Sequence, residues 1–210
     1  MKALVLASVD GTIEVKEICD PVPANGEVLI RLKAAALNRR DFWITRGGYP
    51  NIEAPCVLGS DGVGIVEKGG EGVDSALVGK EVLINPSLHW GESQLVQGKD
   101  FRILGMPDDG TFAECISVPL QQITEKPAHL TTSEAAALPL AGLTAYRALF
   151  SQGKLKSGES ILITGIGGGV ATIALKMAQA AGARVFVSSS CEHKISKALT
   201  LGASSGANYT

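Results

Sequence analysis

Ser160-Ile161-Leu162-Ile163-Thr164-Gly165-Ile166-Gly167-Gly168-Gly169-Val170-Ala171-Thr172 is a short apolar run that enters a cluster of glycines and leaves as a helix. Ile161, Leu162 and Ile163 predict a buried strand; Val170–Ala181 predicts an apolar helix and Arg184–Ser188 a second strand. That order is the first β-α-β of a dinucleotide-binding fold. Glycines there admit a pyrophosphate to the backbone, and the helix N-terminus offers free N–H groups and a partial positive charge. The spacing departs from a strict G-x-G-x-x-G: Gly165-x-Gly167 is present, but the third position falls on Val170. Read as G-x-x-G-x-x-A, the pattern uses Gly165, Gly168 and Ala171. Taken alone, the cluster also fits a turn that packs helix on strand and binds nothing.

Beyond this unit come a predicted helix, Glu192–Leu201, then Gly202-Ala203 and the start of another strand at Ala207-Asn208-Tyr209, before the sequence ends at Thr210. A doubly wound fold has about six strands in two halves. Only part of one half is therefore expected here, either as a fragment or as a chain lacking the rest of its nucleotide domain.

With 210 residues the chain is long enough for one large or two modest domains. A formal net charge of −2 gives no electrostatic case for nucleic acid or an anionic membrane surface. Cys19, Cys56, Cys115 and Cys191 are scattered, with no C-x-x-C pair, and read as reduced thiols. No signal peptide is expected, because the apolar run after Lys2 stops before Asp10-Gly11. No apolar stretch approaches the ~20 residues that span a bilayer, so the expectation is a cytoplasmic protein.

The first 130 or so residues read differently. Short strands are expected at Lys2–Leu6, Ile13–Glu17, Val28–Leu37, Gly62–Glu67, Glu81–Ile84 and Thr111–Val118. Turn signals separate them at Asp10-Gly11, Asn25-Gly26, Gly69-Gly70, Val78-Gly79-Lys80 and Asp109-Gly110. Thr131 or Ser133 is a candidate N-cap, with Glu134 just inside a helical stretch that runs on to Phe150. The fold class is thus α+β joined to α/β: an antiparallel β-barrel domain over 1–128, then an incomplete doubly wound (Rossmann) domain over 129–210.

Further stretches carry a resemblance. They are Met1-Lys2-Ala3, Pro23-x-x-Gly26-Glu27-Val28-Leu29-Ile30 and Ala35-Ala36-Leu37-Asn38-Arg39-Arg40-Asp41. Leu58-Gly59-Ser60-Asp61-Gly62-Val63-Gly64, Gly110-Thr111-Phe112-Ala113-Glu114, Leu138-Pro139 and Leu143-Thr144-Ala145-Tyr146 follow in order. Together they resemble the medium-chain dehydrogenase/reductase superfamily, on its zinc-free, quinone-oxidoreductase-like side. The resemblance implies a GroES-like substrate domain, a nicotinamide-cofactor domain, and roughly a hundred further residues to complete the latter. Dimers in that family commonly form through the cofactor domain, so a homodimer is one expectation.

Zinc-dependent members of the superfamily hold a catalytic ion with a Cys, a His and a second Cys, with an acidic residue beside the His. The resemblance matches those positions to Asn38, Ser60 and approximately Leu140, with Asp61 as the acidic neighbour. An amide, a hydroxyl and an alkyl group cannot replace thiolate and imidazole in a tetrahedral zinc site. The lobe that carries four cysteines in those relatives would fall within Asn85–Gly110, where this sequence has none. His89 beside Trp90 reads as a packed or hydrogen-bonded residue. No metal is expected.

In zinc-free relatives the substrate lies between the nicotinamide and the loop matching Asn38–Tyr49. Hydride arriving at a conjugated carbon pushes negative charge onto a carbonyl oxygen, and aimed donors stabilise it. The resemblance makes Asn38 and Tyr49 the candidate donors, Asp41 the residue that orients Asn38 or Arg40, and Trp43 an apolar wall. Each has a plain alternative: Asn38 can satisfy loop backbone, Asp41 can cap a turn, and both aromatics can be core.

The end of the second predicted strand bears on the cofactor. NAD-preferring folds place an acid there for the ribose hydroxyls. This chain has Ser188-Ser189-Ser190, with Lys194 one turn on, which suits a 2′-phosphate and favours NADPH over NADH. Glu192 lies close by, and Lys194 also fits a simply solvated residue. The cofactor contacts expected are Gly165, Gly167, Gly168, Gly169, Val170, Ser189, Ser190 and Lys194, with Thr144 added by the resemblance. The expected activity is zinc-independent, NADPH-dependent hydride transfer to a quinone, enone or other activated carbonyl compound. The competing expectation is a catalytically silent domain that acts by binding.

Overall fold

The computed structural model describes every residue from Met1 to Thr210. The chain divides into two compact units, Met1–Leu140 and Ala141–Thr210.

The first unit contains strands β1 (Lys2–Leu6), β2 (Ile13–Glu17) and β3 (Glu27–Ala36), helix α1 (Arg39–Thr45), and strands β4 (Cys56–Val57) and β5 (Asp61–Gly69). Strands β6 (Glu81–Ile84), β7 (Ser87–Leu88), β8 (Arg102–Ile103), β9 (Cys115–Pro119) and β10 (Ile123–Glu125) follow, then helix α2 (Thr132–Ala136). The strands form antiparallel sheets of order β2-β1-β4 and β10-β6-β5-β3-β9, with β7 and β8 as a separate pair. The expected barrel does not close. β4 is only two residues long, and the segment before β9 meets β1 through the single bridge Ala3–Ala113, so no continuous ladder joins the sheets. The expected strand at Thr111–Val118 accordingly starts only at Cys115.

Alternation of the strands places Val28, Ile30, Val66, Val82, Ile84, Ile116 and Val118 in one apolar core. A second cluster, Leu6, Ile44, Cys56, Leu58 and Met106, holds α1. Ile44 is fully buried there, which contributes roughly 2–3 kcal/mol. Helix α2 opens with a reciprocal cap: the Glu134 N–H donates to Thr131 Oγ1 and the Thr131 N–H to the Glu134 carboxylate. Its Ala135 and Ala136 pack with Val63, Ala34 and Leu83. That packing joins α2 to the first compact unit, whose limit lies past residue 128.

The helical stretch expected up to Phe150 is broken near Ala137. Helix α3 (Pro139–Tyr146) restarts on a proline, which suits a first helical position because it has no N–H to satisfy. It widens into a π-helical turn over Arg147–Gln152. The second unit then runs β11 (Ser160–Ile163), α4 (Gly169–Ala180), β12 (Arg184–Ser189), α5 (Glu192–Thr200) and β13 (Ser205–Asn208). Its sheet is parallel, of order β11-β12-β13. Leu175, Ala178, Val185, Val187 and Ala198 form its core. No helix is long and apolar enough to cross a membrane.

Candidate functional site

In the first unit the site grows from the end of β3. Ala36 pairs with Asp61, the first residue of β5, so Asn38 leaves the sheet beside that carboxylate. The Asn38 Nδ2 donates to Asp61 Oδ2 at 2.9 Å, and the Leu140 N–H donates to Asp61 Oδ1 at 2.7 Å. Asp61 is 1 % exposed, and burial pushes its carboxyl up to about 6 against the pull of those two donors. Two residues before Asp61, Gly59 lets the Phe112 ring pack on the backbone: its φ is +94° and a Cβ there would collide with that ring.

Asn38 also precedes α1, and its N–H donates to Asp41 Oδ2 at 2.7 Å. Burial raises the Asp41 pKa, while the Asn38 N–H, the charge of Arg40 and the Gly59 N–H act in the opposite direction. Arg40, 7 % exposed, turns the other way. Its Nη1 donates to Ser60 Oγ at 2.8 Å and to the Leu104 carbonyl at 2.9 Å; its Nη2 donates to the Met106 carbonyl at 3.0 Å. The Ser60 hydroxyl donates to the Leu104 carbonyl at 2.7 Å.

Tyr49 lies with its ring 5.2 Å from the Arg40 guanidinium carbon and packs on the Leu6–Ile44 cluster. The structure thus brings Asn38, Asp41 and Asp61 together, and puts Tyr49 against Arg40 in other surroundings. Trp43 is half-exposed, edge-on to Phe42 at 5.2 Å. Sequence reasoning named Arg40 only as a donor for Asp41 to orient and Asp61 only as the acidic neighbour of a zinc-matched position, and gave neither a place among the site residues. The available signal was an ionisable residue set among apolar and glycine neighbours at Leu58–Val63, and a cation a few residues past the sheet.

The positions matched to zinc ligands do converge, since Asp61 touches both Asn38 and Leu140 and follows Ser60. Their chemistry does not fit the ion. Ser60 is engaged by a guanidinium, and the other two positions offer an amide and an alkyl side chain. His89 is exposed, with φ +53°, and borders a cavity of about 510 Å³.

In the second unit, the glycine turn carries Gly165 at φ +64° and Gly167 at φ +112°. Gly168 is the N-cap of α4, Gly169 its first residue and Val170 its partly exposed second; no side chain caps this end. The Ile166 N–H donates to the Ser188 carbonyl at 3.0 Å, tying the turn to the end of β12. A Cβ on Gly167 would stand 2.7 Å from Lys194 Cδ, so the lysine stem lies across the turn. Ser189 is 4 % exposed and accepts the Cys191 N–H at 3.2 Å; Ser190 is exposed. Glu192 is drawn to β13 by the Asn208 amide at 2.8 Å. Thr144 is on an exposed face of α3. The arrangement offers open helix N–H groups and an ammonium to an anionic ligand.

Residues 24–128 match the alcohol dehydrogenase GroES-like domain. The chain is 39 % identical over 208 residues to the zinc-type alcohol dehydrogenase-like protein YogA of Leptosphaeria maculans, covering 94 % of this chain and 58 % of that protein. The crystal structure of an NAD-dependent alcohol dehydrogenase superposes with a TM-score of 0.92 at 37 % identity, over 100 % of this chain and 64 % of that one. The quinone oxidoreductase of Thermus thermophilus, solved also in complex with NADPH, gives 0.78 at 30 % identity, over 100 % and 60 %. The chain spans less than two thirds of the length of each of these proteins.

Proposed function

This chain belongs to the alcohol dehydrogenase GroES-like family of the medium-chain dehydrogenase/reductase superfamily, and we propose that it serves zinc-independent, NADPH-dependent reduction of a quinone, enone or other activated carbonyl compound. The observation that carries the reading is the Lys194 stem laid across Gly167, beside a β12 end built of serines instead of an acid. Bound NADPH would supply hydride from nicotinamide C4.

The residues of the chain do the rest. The α4 N-terminus and the Gly165–Gly169 backbone take the pyrophosphate, and Lys194 with Ser190 favours a 2′-phosphate. Ser189 shapes that end by capping Cys191. Asp61 fixes one N–H of the Asn38 amide, leaving the other to donate to the substrate oxygen as charge develops there. Asp41 holds the Asn38 backbone. The donor set around Ser60 supports a metal-free site, and the quinone oxidoreductase solved with NADPH supports the cofactor.

The test is nicotinamide fluorescence titration of the purified chain with NADPH and with NADH in parallel. At least about tenfold tighter NADPH binding is expected, with the preference lost in Lys194→Ala. Equal or tighter NADH binding overturns the cofactor assignment. No saturable binding of either supports the competing reading, a chain that acts by binding rather than turnover.

A further inference from the structure

Glu192 is an acid two residues beyond Ser190, close to where NAD-preferring folds place the carboxylate that takes the ribose hydroxyls. There its charge would repel a 2′-phosphate and oppose Lys194. The structure turns that carboxylate elsewhere. Glu192 opens α5 three residues before the buried Ile195, so both lie on the side of the helix that meets the sheet. β13 runs close along that side: a Cβ on Gly206 would collide with the Ile195 side chain. Two residues on, and so on the same face of β13, Asn208 donates from Nδ2 to Glu192 Oε1 at 2.8 Å.

The Asn208 amide is itself held in one orientation. The Thr210 N–H and hydroxyl donate to its Oδ1 at 3.1 and 2.8 Å. Only Nδ2 can then meet the carboxylate, which has no proton to give. Backbone pairing fixes where the amide stands: Asn208 is opposite Ser189 in the β12–β13 ladder, and the Tyr209 N–H donates to the Ser189 carbonyl at 3.3 Å. We propose that Asn208 is a positioning residue that sets cofactor preference, holding the Glu192 carboxylate against β13 and leaving the end of β12 to Lys194 and Ser190. A released carboxylate, two residues from Ser190, sweeps that end, repels a 2′-phosphate and accepts ribose hydroxyls instead. This role rests on the NADPH assignment made above.

The experiment is calorimetric titration of the full chain with adenosine 2′,5′-bisphosphate and with 5′-AMP, at low and constant ionic strength. Neither probe requires nicotinamide or turnover. The wild type is expected to bind the bisphosphate at least about tenfold more tightly. In Asn208→Ala that preference should fall about threefold, with 5′-AMP affinity unchanged or higher. Glu192→Gln alone should leave the preference within about twofold of wild type, because its charge is already held away, and Asn208→Ala should add nothing in that background. An unchanged preference in Asn208→Ala, equal weakening of both ligands, or the same loss with Glu192→Gln present would each overturn the role of Asn208 alone. So would a threefold gain in preference from Glu192→Gln by itself. Equal affinity of the wild type for the two ligands, or binding of neither, overturns the cofactor assignment and this role with it.

Discussion

Asp61 and Asn38 meet through a 2.9 Å hydrogen bond whose acceptor is almost completely buried, and the same carboxylate takes the Leu140 N–H. Residues 23 and 79 positions from Asp61 are thereby fixed to one side chain. Asp61→Ala leaves both donors without an acceptor. The expected cost is about 2–3 kcal/mol, seen as a lower urea midpoint at unchanged slope. A shift within error of wild type would remove Asp61 from the centre of the site.

The same carboxyl makes stability pH-dependent. Its folded pKa of about 6 lies above the ordinary 3.8, so between those values the native state holds a proton that the unfolded chain has lost. Stability from this group is therefore fully present below about 3.8, falls as pH rises through the window, and levels off above 6. The loss is roughly 3 kcal/mol. Asp41 is shifted in the same direction and leaves a residual slope. Denaturation of wild type and Asp61→Asn across pH 4–7 should show curves that diverge through this window; parallel curves would contradict the assignment.

Gly167→Ala places a methyl group on Lys194 Cδ in a backbone with φ +112°. About 1 kcal/mol of stability should be lost, and NADPH affinity should fall with it as the lysine is displaced. Calorimetry with and without nucleotide separates the two effects. Unchanged affinity would place Lys194 outside the nucleotide site.

Thr131→Ala removes half of the reciprocal cap of α2 and should cost about 1 kcal/mol. Serine at the same position should restore most of it. Thermal unfolding of the three proteins provides the comparison.

The cysteines should separate by burial. Burial pushes the Cys56 thiol up to about 12 and raises Cys115, whereas Cys19 is exposed. At pH 8 Cys56 would be thiolate in about one molecule in ten thousand, so Cys19 should react with a chromogenic disulfide far sooner. Modification of Cys56 in the folded chain at a comparable rate would show that its surroundings open.

Local pattern made much of the architecture readable. β1, β2 and β6 fall on their expected residues because period-two alternation and flanking turns are short-range signals. The glycine turn and its parallel β-α-β are legible for the same reason: only glycine enters the positive-φ region without cost, and Gly165 and Gly167 both do. Helix α1 escaped notice because seven residues with Phe42 and Trp43 facing outward carry no helical apolar stripe. The barrel failed to close because closure depends on pairing between distant segments, to which no local sequence pattern testifies.

The sequence by itself determined that a β-rich unit precedes a parallel β-α-β unit, and which residue types stand at the positions matched to zinc ligands. Only the tertiary structure decided which charges are buried and what they face. Asp61 became the common acceptor for Asn38 and Leu140, and Arg40 became a buried cation hydrogen-bonded to neutral oxygens beside Tyr49. The reason is physical. A side chain's type travels with the sequence, but its desolvation and its partners come from residues up to 79 positions away, brought within hydrogen-bonding distance by sheet register.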